Sequence, residues 1–571
     1  MLLSFLSSRR EPLQASLIPG KWLFLASFIG LLPLTGQAQY KQDLASKDLK
    51  RSLEQVSPAA IQAHMTYLSD DLLEGRKAGT RGFALAAKYM AAQFQLLGLE
   101  PGVNGKSYFQ DLTLRKGTVV ESGSSLQISR NGQVQTLGYG TDYFLQPHMM
   151  KTQSQVAAPV VFVGYGVSAP EMKYDDYAGI DVKGKIVMYL PGAPARFPNN
   201  ERAYFSSELA KHGTAAAKGA VGVITVVAGD DTRSGWTALL RRNQGGLNRW
   251  VNPEGQTNNY FPALAVTGSV YQEVAQSFFD GAGITLLEAV SSLRAGKPVS
   301  RALPFRAQMT VNSRHQEVAS HNIVGVLPGS DPVLKQEYVV YAAHLDHLGI
   351  TKAVNGDSIN NGAHDNASGS AILLETARAF TNLPKAPKRS IIFLACTAEE
   401  LGLLGSDYFA NNPTVPANSL VANLALDMPF LFYPLHDIIP HGIQHSSLKG
   451  PVEASANFLG IKITQDPAPE EVVFTRSDHY SIIKKCIPAL FIKGGIISGD
   501  PNVEGSKFIA DWRKNIYHKI DDEMDQAFDF NAGAMHAKTN FLIGYLVAND
   551  KDRPAWNNGD FFGGKFGKKN L

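Results

Sequence analysis

The sequence predicts an α/β fold. It is read as a three-layer domain, a mostly parallel sheet with helices on both faces, interrupted by a β-rich insertion. Three observations carry that expectation. From about residue 320 the runs "NIVGVL", "EYVVYAAH", "SIIFLAC" and "PALFIK" are continuous and apolar, as strands buried on both faces are. Helical segments such as "GSAILLETARAF" and "FNAGAMHAKTNFLIGYLV" alternate with them, the pattern of a parallel sheet covered on both sides. Between about 155 and 290 the texture differs: "APVVFVGYG", "GKIVMYL" and "GVITVV" are short β-rich runs separated by Gly and Pro turns.

Size and charge bound the rest. At 571 residues the chain exceeds what one hydrophobic core usually supports. An apolar fraction of 44% with 18% charged residues is that of a globular protein. The formal net charge of +3 gives no support for nucleic-acid binding.

Taken in order, residues 1–38 read as a secretory signal peptide. Basic residues up to Lys21 precede the apolar run Trp22 to Leu34, and Gly36 and Ala38 supply small residues for cleavage after Ala38. At 13 residues including Pro33, the run falls short of the roughly 20 that a membrane-spanning helix needs. The expectation is an exported, periplasmic or secreted protein with no stable membrane span after cleavage. Residues 50–150 follow as a first part of the main domain, with 58–98 helical: Phe83, Ala87, Met90, Ala91, Phe94 and Leu97 keep helical spacing, and Gly98 sits where a cap belongs. Residues 151–295 form the insertion, with a helix at "KHGTAAAKGA". Residues 296–550 carry the remaining strands and helices, and 551–571 are a basic, aromatic tail, docked on the surface or loose. Cys396 and Cys486 each lie beside an apolar run, where buried free thiols are common, although a single bridge is possible.

In parallel sheets ligands gather beyond the carboxyl ends of strands. His344 and Asp346 end or follow one strand, Asp365 lies in a Gly- and Asn-rich loop, Glu399 and Glu400 follow another strand, Asp427 ends a third run, and His518 follows "PALFIK". Zinc takes imidazole nitrogen and carboxylate oxygen, and two zincs close together need a shared carboxylate. Asp365 suits that bridge; His344 with Asp427, and Glu400 with His518, suit the terminal pairs. Asp346 can accept the second N–H of His344, and Glu399, facing water, suits a general base. His347, His364, His436, His441 and His445 fit no such spacing and are read as structural residues or as supports for the ligands.

The ordered motifs "AHLDHLG", "GAHDNASG", "CTAEELGLLGS", "LDM", "RSDHYS" and "YHKIDD" resemble the co-catalytic zinc aminopeptidases of peptidase family M28, over roughly 320–550. The resemblance implies the zinc exopeptidase fold and two Zn2+ per chain. It implies metal ligands His344, Asp365, Glu400, Asp427 and His518, with Glu399 as base and Asp346 supporting the ligands. Peptide substrates with a free N-terminus would be hydrolysed. The insertion resembles the protease-associated domain found in many members. Two departures bear on the substrate pocket: Ala425 stands where relatives often have Asn, and the stretch Gly494 to Lys514 is extended. A glutaminyl-cyclase-like acyl transferase with one zinc, and a non-enzymatic receptor or scaffold of the same fold, are the alternatives. Metal content separates them: two zincs, one, or none.

Overall fold

The computed structural model describes residues 40–229 and 235–567. The expected signal segment 1–38 lies outside the described residues.

The helical stretch expected over 58–98 is two helices. Helix α1 (Pro58–Leu68) starts on the Ser57 side chain, which accepts the Ala60 N–H. Helix α2 (Arg81–Leu96) starts on Thr80, and Gly98 follows it at φ +76°. Between them the turn Asp71–Arg76 bends through Glu74 and Gly75 at positive φ. A Cβ at Gly75 would sit 2.4 Å from the Asn360 carbonyl oxygen, so glycine is required for the backbones to approach this closely. The turn residues outweigh helical periodicity because this approach delivers Arg76 to the loops of the main sheet.

Strand β1 (Phe109–Arg130) leads into the inserted region. There β2 (Gln153–Val163), β3 (Ile186–Tyr189), helix α3 (Glu208–Ala217), β4 (Gly222–Val227) and β5 (Val266–Tyr271) follow. The β2–β3–β4–β5 neighbours are all parallel. Helix α3 is the one expected at "KHGTAAAKGA". Strand β6 (Ser300–Leu327) then runs 28 residues through both halves of the molecule. It pairs antiparallel with β1 and β2 over most of its length, and its last residues, Ile323 to Leu327, join the main sheet. "NIVGVL" is therefore the antiparallel end of a long shared strand, and the insertion continues the main sheet. Its core also takes Leu126, Ile128, Tyr143 and Leu145 from before residue 151 and Met309 and Val311 from after 295.

The main sheet continues with β7 (Tyr338–His344), helix α4 (Gly369–Thr381), β8 (Ser390–Cys396), helix α5 (Leu404–Asn411), β9 (Leu420–Ala425), β10 (Asp437–His441) and β11 (Ala489–Gly494). Helices α6 (Gly505–Asn515), α7 (Phe530–Asn549) and α8 (Phe561–Gly567) follow. The sheet order is β10–β11–β9–β7–β8–β6–β2–β3–β4–β5. Strands β11, β9, β7 and β8 are mutually parallel. Burial on both faces explains the unbroken apolar runs. Val339, Tyr341 and Ala343 of β7 pack into a core with α1, α2, α4 and α7, while Val340 and Ala342 pack with Phe409 and Ile482 on the other side. The architecture is the mixed α/β one expected, with a large mostly parallel sheet flanked by helices.

Cys396 and Cys486 are both free. The tail docks: Phe562 and Phe566 of α8 are buried against Phe474, Ile483 and Ala489. Lys565 pairs with Glu171 of the insertion and lies over the Tyr204 and Phe205 rings. No helix among the described residues is long and apolar enough to cross a membrane.

Candidate active site

The register of the parallel strands gathers the site. His344 ends β7 directly opposite Cys396, the last residue of β8, and Ala342 lies opposite Ala425 of β9. Residues just beyond these three strands therefore leave the sheet at one edge. Asp346 follows β7, Glu399 and Glu400 follow β8, and Asp427 follows β9. The Asp365 loop comes in from the turn before α4, and His518 from the turn after α6.

Two groups of donor atoms result, and Asp365 belongs to both. In one, His344 Nε2 lies 3.3 Å from Asp365 Oδ1 and 3.8 Å from Asp427 Oδ1. In the other, His518 Nε2 lies 3.1 Å from both Asp365 Oδ2 and Glu400 Oε2. His347 completes the second group, its Nδ1 2.8 Å from Glu400 Oε1 and 3.8 Å from Asp365 Oδ2. Both groups, His344–Asp365–Asp427 and His347–Asp365–Glu400, have the spacing to hold a metal ion. Asp427 Oδ1 is buried without a hydrogen-bond partner, the condition of a donor aimed at a cation. All five residues expected as ligands are brought together. His347, set aside on spacing, stands among them.

The arrangement favours positive charge. Burial acts to lower the His518 pKa, but contacts with Asp365 and Glu400 overcome it and raise it to about 10. Burial likewise opposes protonation of His344, yet Glu399, Asp365 and Asp427 hold its pKa well above the usual imidazole range. Burial would raise Asp427, while Lys493 and His344 bring it down to about 2. Glu399 goes the other way. Burial, reinforced by Glu400 and Asp478 and opposed by His344, raises its carboxyl well above the ordinary value. Among the described residues, none donates a hydrogen bond to the Glu399 carboxylate, which faces the cleft.

The support differs from the expectation at Asp346. The Nδ1–H of His344 is 3.1 Å from the Asp346 main-chain carbonyl, not from its carboxylate. That contact leaves Nε2 for Asp365 and Asp427. The Asp346 carboxylate instead accepts the N–H groups of Glu399 (3.0 Å) and Glu400 (3.4 Å), so it sets the turn bearing both glutamates. The reason is steric: Asp346 lies two residues past the strand end, where its side chain reaches the next strand's turn.

Three further residues hold the loops. The buried Asp522 carboxylate accepts the N–H groups of His364 and Asp365, each at 2.9 Å. The buried Arg76 guanidinium donates to the carbonyls of Leu68, Leu345, Asn361 and Gly362, tying the α1–α2 turn to both ligand loops. Lys493 Nζ donates to the carbonyls of Asp427 (2.8 Å) and Met428 (2.9 Å). Asp522 closes the motif "YHKIDD", which offered a signal; nothing local marks Arg76 or Lys493.

A cleft of about 800 Å³ opens onto the cluster, lined by His344, Asp365, Glu399, Asp427 and Tyr517. Its far wall is α6, the extended stretch noted in the sequence.

Known proteins resemble this chain in part. Residues 322–542 match the family model of peptidase family M28. Aminopeptidase NAALADL1 of Mus musculus is 37% identical over 106 residues, 18% of this chain and 12% of that protein. Leupeptin-inactivating enzyme 1 of Streptomyces exfoliatus is 36% identical over 109 residues, 19% of this chain and 22% of that one. The chain thus matches less than a quarter of either relative's length. The solved aminopeptidase from Aneurinibacillus sp. strain AM-1 is 20% identical, covering 88% of this chain and 99% of its own, with a TM-score of 0.47. Over residues 322–542, the chain is thus similar to peptidase family M28.

Proposed function

We propose that this protein is an exported zinc aminopeptidase that removes N-terminal residues from peptides. The observation that carries the reading is the pair of donor groups sharing Asp365, beside a glutamate that takes part in neither. Imidazoles and carboxylates in this mixture are the set zinc takes, and the buried Asp427 Oδ1, which accepts no hydrogen bond, fits such an ion. His344 and Asp427 would hold one zinc, Glu400, His518 and His347 a second, and Asp365 both. Zinc, when bound, polarises a scissile carbonyl and makes water more acidic.

The chain's own residues supply the rest. Glu399 stands at the cleft with its carboxylate free, so it accepts a proton from attacking water and later returns it to the leaving amine. Burial beside other carboxylates raises its affinity for that proton, which suits both steps. Asp346, through the two N–H groups it holds, fixes Glu399 against Glu400. Asp365 and Asp427 place negative charge where a free substrate amine, itself cationic, would sit. The relatives' names support the class of reaction, and the short matched lengths leave the substrate to experiment.

The insertion is read as a protease-associated module that shapes access, since it contributes no residue to either donor group. The order of basic, apolar and small residues over 1–38 supports export, and N-terminal sequencing of the mature protein should start at Gln39.

The test combines three readings. A peptide library is digested with free and with acetylated N-termini, zinc is counted by elemental analysis, and Glu399→Gln is compared with the native protein. The expected result is cleavage of free N-termini only, two zincs per chain, and a loss in kcat of about two to four orders of magnitude in the variant with zinc retained. Equal cleavage of acetylated peptides would refute aminopeptidase action. One zinc would favour the cyclase-like alternative. A variant that loses metal would exchange the two glutamates' roles.

A further inference from the structure

A side pocket of about 80 Å³ opens off the cleft away from the donor groups. Its walls are largely apolar: Met428, Phe430, Ile439, Val473, Ile509 and Trp512. It shares Met428, Val473, Lys493, Ile509 and Arg513 with the cleft, so the two are continuous. A residue whose scissile bond lies at the cluster can therefore extend its side chain into this space.

The charges lining the pocket are all engaged except one. Lys493 is spent on the Asp427 and Met428 carbonyls. Asp466 accepts the Ala468 N–H and faces His441 at 3.5 Å. Glu471 pairs with Arg476 at 3.3 Å. Arg513 is half-buried and, among the described residues, has neither a hydrogen-bond nor an ion-pair partner. Its place is fixed by its neighbour Trp512, which is 5% exposed, donates to Gln526 Oε1 at 2.7 Å and packs against His364. A partly desolvated guanidinium without a counter-ion is costly, and a planar fork of donors suits a carboxylate.

We infer that Arg513 makes this pocket selective for substrates whose N-terminal side chain ends in a carboxylate, glutamate above all, its methylenes lying along the apolar walls. The inference rests on the aminopeptidase reading for its position in the reaction. Glutamine is the informative competitor, because it matches glutamate in length and shape and lacks only the charge.

The test uses the full zinc-loaded protein with glutamyl and glutaminyl p-nitroanilides, and calorimetric titration of L-glutamate and L-glutamine as a reading that needs no turnover. The expected kcat/KM ratio of glutamyl to glutaminyl substrate is about ten to a hundred. Arg513→Gln should bring it near one, and Arg513→Lys should recover part of it. A native ratio near one, or a ratio unchanged in Arg513→Gln, overturns the inference while leaving aminopeptidase action standing. If neither amide is cleaved while the free-N-terminus peptide library is, the inference is overturned and aminopeptidase action stands. If the library is uncleaved as well, the aminopeptidase reading fails and the titrations decide the pocket alone, tighter glutamate binding lost in Arg513→Gln upholding it and equal binding overturning it.

Discussion

The two donor groups are built in different ways. His344 and Asp427 stand at the ends of adjacent parallel strands, with side chains 2% and 10% exposed. Their separation is set by strand register, which the ladder of backbone hydrogen bonds holds rigidly. His518 has a left-handed backbone (φ 59°) in a turn, with its side chain 35% exposed. Its position rests on contacts with Asp365 and Glu400 and on the Tyr517 ring stacked 3.8 Å away. Apart from the shared Asp365, the first group stands on strand ends, whereas the second adds His518, from a turn pinned by tertiary contacts, to His347 and Glu400 beyond their strands. Elements with few buried contacts open most readily, so the second group is the weaker of the two.

The most severe way to break this asymmetry is to remove what the groups share. Asp365→Asn removes the negative charge of the common side chain, and kcat/KM should fall by about three orders of magnitude or more with both zincs loosened. Kinetics with elemental analysis checks this, and two zincs at full occupancy would sink the bridging role.

Asp346→Asn strikes the support between the groups. The amide still offers one acceptor oxygen to the N–H groups of Glu399 and Glu400 but not two carboxylate oxygens. A loss of about ten- to a hundredfold in activity is expected, the usual effect of weakening a ligand's support. His344 keeps its main-chain acceptor, so zinc lost in this variant should come from the Glu400 side. Loss of both metals together would contradict the division drawn here.

The smallest effect sharpens the comparison through pH. In protein stripped of metal by a chelator, the His518 pKa is about 10 in the fold against 6.5 in the unfolded chain. A raised imidazole pKa adds stability that is fully present below pH 6.5 and is lost as pH rises through about 10. The stripped protein's Tm should therefore decline between these limits, and His518→Gln should flatten that decline. Thermal melts of both forms at pH 6.5 and 9.5 measure it, and identical slopes would show that His518 is not held by the two carboxylates.

Much of the site was legible because its chemistry lies in short motifs. Five donors, the adjacent glutamates and the strand ends bearing them could be read from apolar runs followed by His, Asp or Glu. What escaped has a common cause. His347 was set aside because spacing along the chain does not report that Glu400, 53 residues on, folds back within 2.8 Å. Arg76 carries no local mark, since its four acceptors lie in three separate segments. Asp346 was assigned to the right neighbourhood but the wrong bond, because the choice between its carboxylate and its carbonyl depends on how the following strand's turn approaches.

The sequence by itself determined the strands, their burial on both faces and the donor types, because side-chain chemistry and periodicity are local properties. It also marked the stretch Gly494 to Lys514 as unusual. Tertiary structure alone decided that this stretch becomes the wall of the cleft, that Arg513 is left without a partner in a side pocket, and that β6 runs through insertion and main sheet alike. Those outcomes depend on which distant groups meet. Such pairings are fixed only when the whole core closes and each buried charge must find, or fail to find, a counterpart.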